Sequence, residues 1–483
     1  MRRVPLPLAL IVAVAAVMTL SWSVATAWLQ GPDEGDHIGY VEHLAETGKI
    51  PSPSQGQGAY ALDEVAAQNA GYLRMLQNRL ARAPSGHQAE QAFHAAEAAL
   101  PPNARDTGSG PNSVGKNPPL YYVYEALGWK LAVGAGFFGK LFVLRLFSGL
   151  MLLVTVVFTW LLAGELFRRR VPQTVATSIV ATLPMAGFMS GIVNTDIMLA
   201  AVWTAFLWLA VRTARLGLTW RRAAALSGVT VLSVLTHGRG LALVPPLLVA
   251  LVVAWLVHHR SLRSTLEAIA GSGAVLLAGL VVYRLAASAA GSGGALYGGE
   301  VNLGNTHAFN IRQFLSSIWQ FYLPKPDSMA PRLGPGFGYR QLFVQQYFAG
   351  VFSSFEVYFP YWVYDWVQII VALGVVALYT VGAVRWRSVL AHWPKIVIVA
   401  VTGASLVFFL HLASYRALVN GSDNPLLAGR YLLPLTAIVG VAVGALVAGL
   451  PRRAGAVVGA LAMVATVALA LGALALNVER FYA

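Results

Sequence analysis

Residues 31–40, GPDEGDHIGY, place Asp33, Glu34, Asp36 and His37 directly behind an apolar stretch running from about Leu6 to Leu29. A carboxylate there can take a proton from a hydroxyl as a leaving group departs. Asp33, Glu34, Asp36 and His37 together also offer oxygens and one imidazole to a divalent cation, although their spacing matches no closed metal motif. The bland alternative is a solvated loop start. Other polar positions sit at the same level: Asn194 and Asp196 in SGIVNTDIML, Lys116 and Asn117 in VGKNPPLYY, His237 and Arg239 in THGRG, and Arg430 with Tyr431 in LLAGRYLLP. Lys116, Arg239 and Arg430 suit an anionic phosphate, the arginines as two-pronged donors. Asp33 or Asp196 suits proton removal, and the cations would stabilise charge growing on a departing phosphate. His37, Asn117, Asn194 and Tyr431 are supporting residues in this reading. Unpaired charges scattered over a membrane surface would not repay their desolvation, whereas a ligand-filled cleft would.

The elements that must position these residues are set by composition. The chain has 483 residues, 57% of them hydrophobic and 11% charged, with a mean hydropathy of +0.63. Soluble domains devote about a quarter of their residues to charge, so this is an all-α polytopic membrane protein. The absence of cysteine excludes disulfides, thiolate metal sites and thiol nucleophiles. The net charge of +14 sits in short basic clusters between apolar runs, among them Arg168–Arg170, Arg212/Arg215/Arg221/Arg222, Arg385/Arg387/Lys395 and Arg452–Arg453. That is the positive-inside pattern, and it needs no nucleic-acid partner.

Apolar runs near 5–28, 141–163, 173–190, 195–211, 223–236, 241–257, 266–286, 364–384, 396–414, 430–449 and 454–476 predict about 11 transmembrane helices in one membrane domain, 1–483. The first is read as a retained span, because no small-residue cleavage site follows it. The segment 119–137 carries Glu125 and Lys130, and counting it as a span would invert every later basic cluster. It is therefore expected to lie along the interface. The N-terminus is then cytoplasmic, and two extracytoplasmic loops follow: 30–140, with short and interfacial helices, and 287–363, with an interfacial or re-entrant helix. ALDEVAAQNAGYLRMLQNRLARA and HQAEQAFHAAEAALPP read as short helices in the first.

The motifs taken together resemble the C-type glycosyltransferase superfamily of polytopic membrane enzymes. The likeness is to bacterial protein mannosyltransferase-like, lipid A aminoarabinose transferase-like and related uncharacterised membrane protein members. It is carried by PDEGDH after the first span, KNPPLYY at the end of the first loop, Asp196 of VNTD, LRLFSGL at 144–150 and GRYLLPL at 429–435. The resemblance implies a bundle of that type acting on a polyprenyl-phosphate sugar donor and a cell-envelope glycan or lipid acceptor, at the extracytoplasmic face of a bacterial plasma membrane. Asp33 would be the base, Glu34 or Asp196 a supporting acid or metal ligand, and Lys116 and Arg430 would approach the donor phosphate from opposite sides. Single displacement would invert the anomeric centre. Two alternatives stand beside this reading: a transporter or flippase for a lipid-linked sugar, and a surface polysaccharide ligase or polymerase. The Ala-, Gly-, Val- and Arg-rich composition points to a GC-rich genome, and with it to actinobacterial cell-wall glycans.

Overall fold

Inside a bilayer every backbone N–H and C=O must be paired within its own segment, so the apolar runs fold as helices. The computed structural model describes residues 4–51, 70–71, 78, 80–84, 87–99, 114–258, 261–289, 309–323, 325–331, 333, 340–353, 356–421 and 427–483. Among these the only β feature is one antiparallel bridge between Phe352 and Val357. The helix expected over HQAEQAFHAAEAA is present at His87–Ala98. Most of ALDEVAAQNAGYLRMLQNRLARA lies outside the described residues.

Helix α1 (Leu6–Ala25) leads into α2 (Glu34–Thr47), and α3 (His87–Ala98) and α4 (Leu120–Leu131) precede the long α5 (Phe137–Leu166). Helix α4 has 12 residues. That makes it ~18 Å long, short of a ~30 Å hydrocarbon core. Next come α6 (Arg170–Thr182), α7 (Pro184–Ser190), α8 (Thr195–Leu216), α9 (Trp220–Thr236), a 3₁₀ turn at Gly238–Leu243, α10 (Val244–His258) and α11 (Leu262–Ala289). The second half holds α12 (Ile311–Tyr322), a π-helical segment Arg340–Gly350, α13 (Tyr361–Val384), α14 (Trp386–Ala391) and α15 (Trp393–Val419). A 3₁₀ turn at Gly429–Leu435 then leads to α16 (Thr436–Gly449) and α17 (Arg452–Tyr482).

Nine helices among the described residues are long and apolar enough to cross a membrane, against the eleven expected. Two runs account for the difference. The run 173–190 divides at Pro184, which has no N–H to donate and holds Leu183 at φ −64°, ψ 120°. The run 223–236 folds as the 17-residue α9, shorter than the usual spanning length of about 20.

Helix α8 is the centre of the bundle, packed on α5, α9 and α10, with Trp203, Phe206 and Leu207 fully buried. Trp203 Nε1 donates to Ser233 Oγ at 3.0 Å, so its one polar atom is satisfied inside the core. Close approach of α16 to α6 depends on Gly440, where a Cβ would overlap the Ala176 carbonyl. Beneath the first polar motif, Trp22, Phe188 and Phe352 pack ring to ring and join α1, α7 and the Phe352–Val357 bridge.

Candidate active site

Asp33 is the N-cap of α2 and lies at φ 57°, ψ 16°, in the left-handed region. Asp and Asn are the non-glycine residues that visit this region with least strain. The turn sends adjacent side chains to different places. Asp33 is 45% exposed, while Glu34 is sealed in the interior.

Glu34 has no capacity left for chemistry. Arg145 of α5 donates Nε to Oε1 and Nη2 to Oε2, both at 2.8 Å. The amides of Val193 and Gly31 fill the same two oxygens, at 3.2 and 3.3 Å. The other Arg145 N–H groups go to the carbonyls of Ser23, Thr26 and Ala27 at 2.7–3.1 Å, so all five of its donors are used. This pair pins the end of α1, the Asp33 turn and the residues before α8 to one point. The candidate cation site fares the same way. No group of three or more His, Asp or Glu among the described residues is placed to hold a metal, and Glu34, which would have to contribute, is spent on Arg145.

Asp196 lies in the first turn of α8 and is 1% exposed. Its amide donates to the N-cap Asn194 Oδ1 at 2.9 Å, and Asn194 Nδ2 donates to the Pro32 carbonyl at 3.1 Å, tying α8 to the Asp33 turn. Two arginines from 3₁₀ turns meet these carboxylates. Arg239 pairs with Asp196 Oδ1. Arg430 donates Nη2 to Asp33 Oδ2 at 2.6 Å, and its Nε lies 3.6 Å from Asp196 Oδ2. Tyr431 lies under both guanidinium groups, 4.2 Å from Arg239 and 5.4 Å from Arg430. Asp33, Asp196, Arg239, Arg430 and Tyr431, from distant parts of the sequence, thus form one cluster. Arg239 Nη1 and Arg430 Nη1 are buried in it with no hydrogen-bond partner among the described residues. Burial raises the Asp33 pKa, but the Arg430 charge and hydrogen bond, with His37, outweigh it and hold the carboxyl below its usual range.

His37 is buried one turn into α2, with Nδ1 2.9 Å from Tyr122 Oη, which also accepts from Asn117 Nδ2 at 3.0 Å. Tyr122 stacks on Tyr40 at 3.6 Å. Lys116 is exposed beside this chain and forms no ion pair among the described residues. Burial pushes the His37 pKa down to about 4; Asp33 and Asp196 raise it, Arg430 lowers it, and Tyr121 and Tyr122 flank the ring. Between pH 6.5 and about 4 the unfolded chain therefore takes up a proton that the folded chain refuses. Stability should fall as pH drops through that window, by at most about 1.4 kcal/mol per pH unit from this group. Melting midpoints between pH 7 and 4 check this: His37→Gln should flatten the slope, and an unchanged slope would assign the loss to other groups.

Sequence reasoning did not place Arg145 in the site region, although an arginine inside the apolar run 141–163 was the available signal. Gln346 was also missed. It accepts from the Gly429 amide and so fixes the turn that carries Arg430. Nothing in a π-helical segment's sequence announces that contact.

The fold matches solved membrane glycosyltransferases of the C type. ArnT from Cupriavidus metallidurans in the apo state has a TM-score of 0.50 at 15% identity, over 92% of this chain and 60% of that one. The oligosaccharyltransferase of Archaeoglobus fulgidus in the apo form gives 0.50 at 12% identity, over 98% and 56%. The same organism's AglB, in complex with an inhibitory peptide and a dolichol-phosphate, gives 0.53 at 13% identity, over 99% and 56%. The chain thus spans under two thirds of the length of each, and at these identities the likeness is one of fold. No curated protein matches the chain. The family profile described as "Predicted membrane protein (DUF2142)" matches residues 17–439, most of the chain, and the protein belongs to that family.

Proposed function

We propose that the protein transfers a sugar from a polyprenyl-phosphate donor to a hydroxyl of a cell-envelope glycan or lipid. The observation that carries this reading is the pair of buried guanidinium donors, Arg239 Nη1 and Arg430 Nη1, unpartnered among the described residues and beside a half-exposed carboxylate, Asp33. A buried N–H without a partner costs about 1–3 kcal/mol, which a phosphate oxygen accepting from it would recover. The two arginines and two aspartates cancel in charge, and the exposed Lys116, without an ion pair among the described residues, adds a positive charge for an incoming phosphate. The dolichol-phosphate in the AglB complex is of the same chemical class.

In the reaction the acceptor oxygen bonds to the anomeric carbon and gives its proton to Asp33. The bond from that carbon to the phosphate oxygen breaks, and the electron pair leaves with the polyprenyl phosphate, held by Arg239 and Arg430. Attack opposite the departing phosphate inverts the anomeric centre. The Arg430 ion pair keeps Asp33 ionised and so able to accept the proton. Asp196 is too buried to meet an acceptor and holds the two guanidinium groups in place. The basic residues at the opposite helix ends support an extracytoplasmic position for this cluster, by the positive-inside bias.

Purified protein incubated with radiolabelled polyprenyl-phosphate sugars tests the reading. Arg430→Gln should weaken binding of the donor and of sugar-free polyprenyl phosphate alike, by ~10-fold or more, as expected for loss of a charge-assisted bond worth about 1.5–3 kcal/mol. Wild-type affinity and turnover in that variant would refute it.

A further inference from the structure

The far end of the bundle carries a second charged cluster that sugar transfer does not use. Glu165, near the end of α5, has a side chain only 6% exposed and faces Arg212 Nη1 at 3.3 Å and Arg215 Nε at 2.8 Å. Lys395, in the first turn of α15, donates Nζ to the Glu165 carbonyl, and Arg168 and Arg215 lie close enough to repel its charge. Two arginines therefore meet the one carboxylate, with Lys395 on its backbone carbonyl and Arg168 close to Lys395, and Arg168, Arg212 and Arg215 remain open to the surroundings, the last two 42% and 47% exposed. Like charges gathered this closely repel one another unless an anion joins them. The described residues at this end offer no second acid to them, because Glu267 pairs with Arg263 on α11.

A second observation fixes the depth of the cluster. Four arginines lie against tryptophan rings at this end of the helices: Arg170 on Trp160, Arg212 on Trp208, Arg221 on Trp220 and Arg387 on Trp386, at 5.5–5.7 Å. Tryptophan collects at the level of lipid headgroups, and a basic recess between helices there suits a phosphodiester. Leu216, Trp393 and Ile396 are exposed beside the cations and offer apolar surface to acyl chains. We propose that Arg168, Arg212, Arg215 and Lys395 form a headgroup site for an anionic phospholipid, clasping the ends of α5, α8 and α15 together. This stands independently of the proposed sugar transfer.

The full-length protein in nanodiscs of phosphatidylcholine, with or without phosphatidylglycerol, provides the test. Phosphatidylglycerol should raise the melting midpoint of the wild type, and native mass spectrometry should find it retained. Arg168→Gln combined with Lys395→Gln should lose both effects, while Arg452→Gln with Arg453→Gln, equal in charge removed at the same end, should keep them. Equal shifts in both variants would reduce the effect to bulk surface charge and overturn the site. So would an equal shift with inorganic phosphate in phosphatidylcholine discs, which would mean that no lipid is needed. Should the first double variant not fold, retention by the wild type of phosphatidylglycerol in preference to phosphatidylcholine decides the matter, and no preference defeats the proposal.

Discussion

Asp33→Asn should lower sugar transfer by about 10²–10⁴-fold, the usual contribution of a positioned general base, while the protein still folds and binds the donor. The backbone makes Asn the informative replacement. At φ 57° an alanine would add strain to loss of charge, whereas Asn accepts the left-handed region nearly as well as Asp. Asn can still accept from Arg430, so the two guanidinium groups stay where they are, and what disappears is the proposed site for the acceptor's proton. Asp196→Asn is the companion measurement. That carboxylate is 1% exposed and is held by both arginines, so its loss should weaken donor binding more than the chemical step. Transfer of radiolabelled sugar, with binding of polyprenyl phosphate measured on the same preparations, separates the two. Full turnover by Asp33→Asn with a donor that the wild type uses would remove Asp33 from the base role.

How far the sequence shows this site depends on the kind of information each residue carries. The bundle was legible because lipid permits only internally bonded backbone, so an apolar run of sufficient length has one reading. The helix count departs from the expected one where a local feature overrides length, at Pro184 and in the short α9. Asp33, Asp196, Arg239 and Arg430 could be named because a charge at the membrane's edge has few inexpensive roles. What the sequence could not show was the difference between Asp33 and Glu34. Adjacent carboxylates look alike in one dimension, and only the left-handed turn decides that one stays half-exposed beside Arg430 and the other meets Arg145. The unpartnered guanidinium N–H groups were equally invisible, since they depend on how many bonds each arginine already makes.

The same distinction gives the largest expected effect on stability. Arg145→Met removes the only cation touching Glu34 among the described residues and strands a carboxylate in the interior, which should cost about 3–5 kcal/mol. It also frees the carbonyls of Ser23, Thr26 and Ala27, so the end of α1 loses its anchor to α5. Glu34→Leu alone should destabilise as well, because it leaves the buried guanidinium without its counter-charge. The two changes together remove both charges, and the double variant should be more stable than the Arg145→Met single, a coupling opposite to additivity. Thermal midpoints of the three variants in one detergent check this. If the double variant equals the sum of the singles, the pair does not act as a unit. Where the double variant folds, its transfer rate carries a separate message. Asp33 and Asp196 would keep their chemical groups but lose the clamp joining Gly31, Glu34 and Val193, so donor binding should outlast turnover.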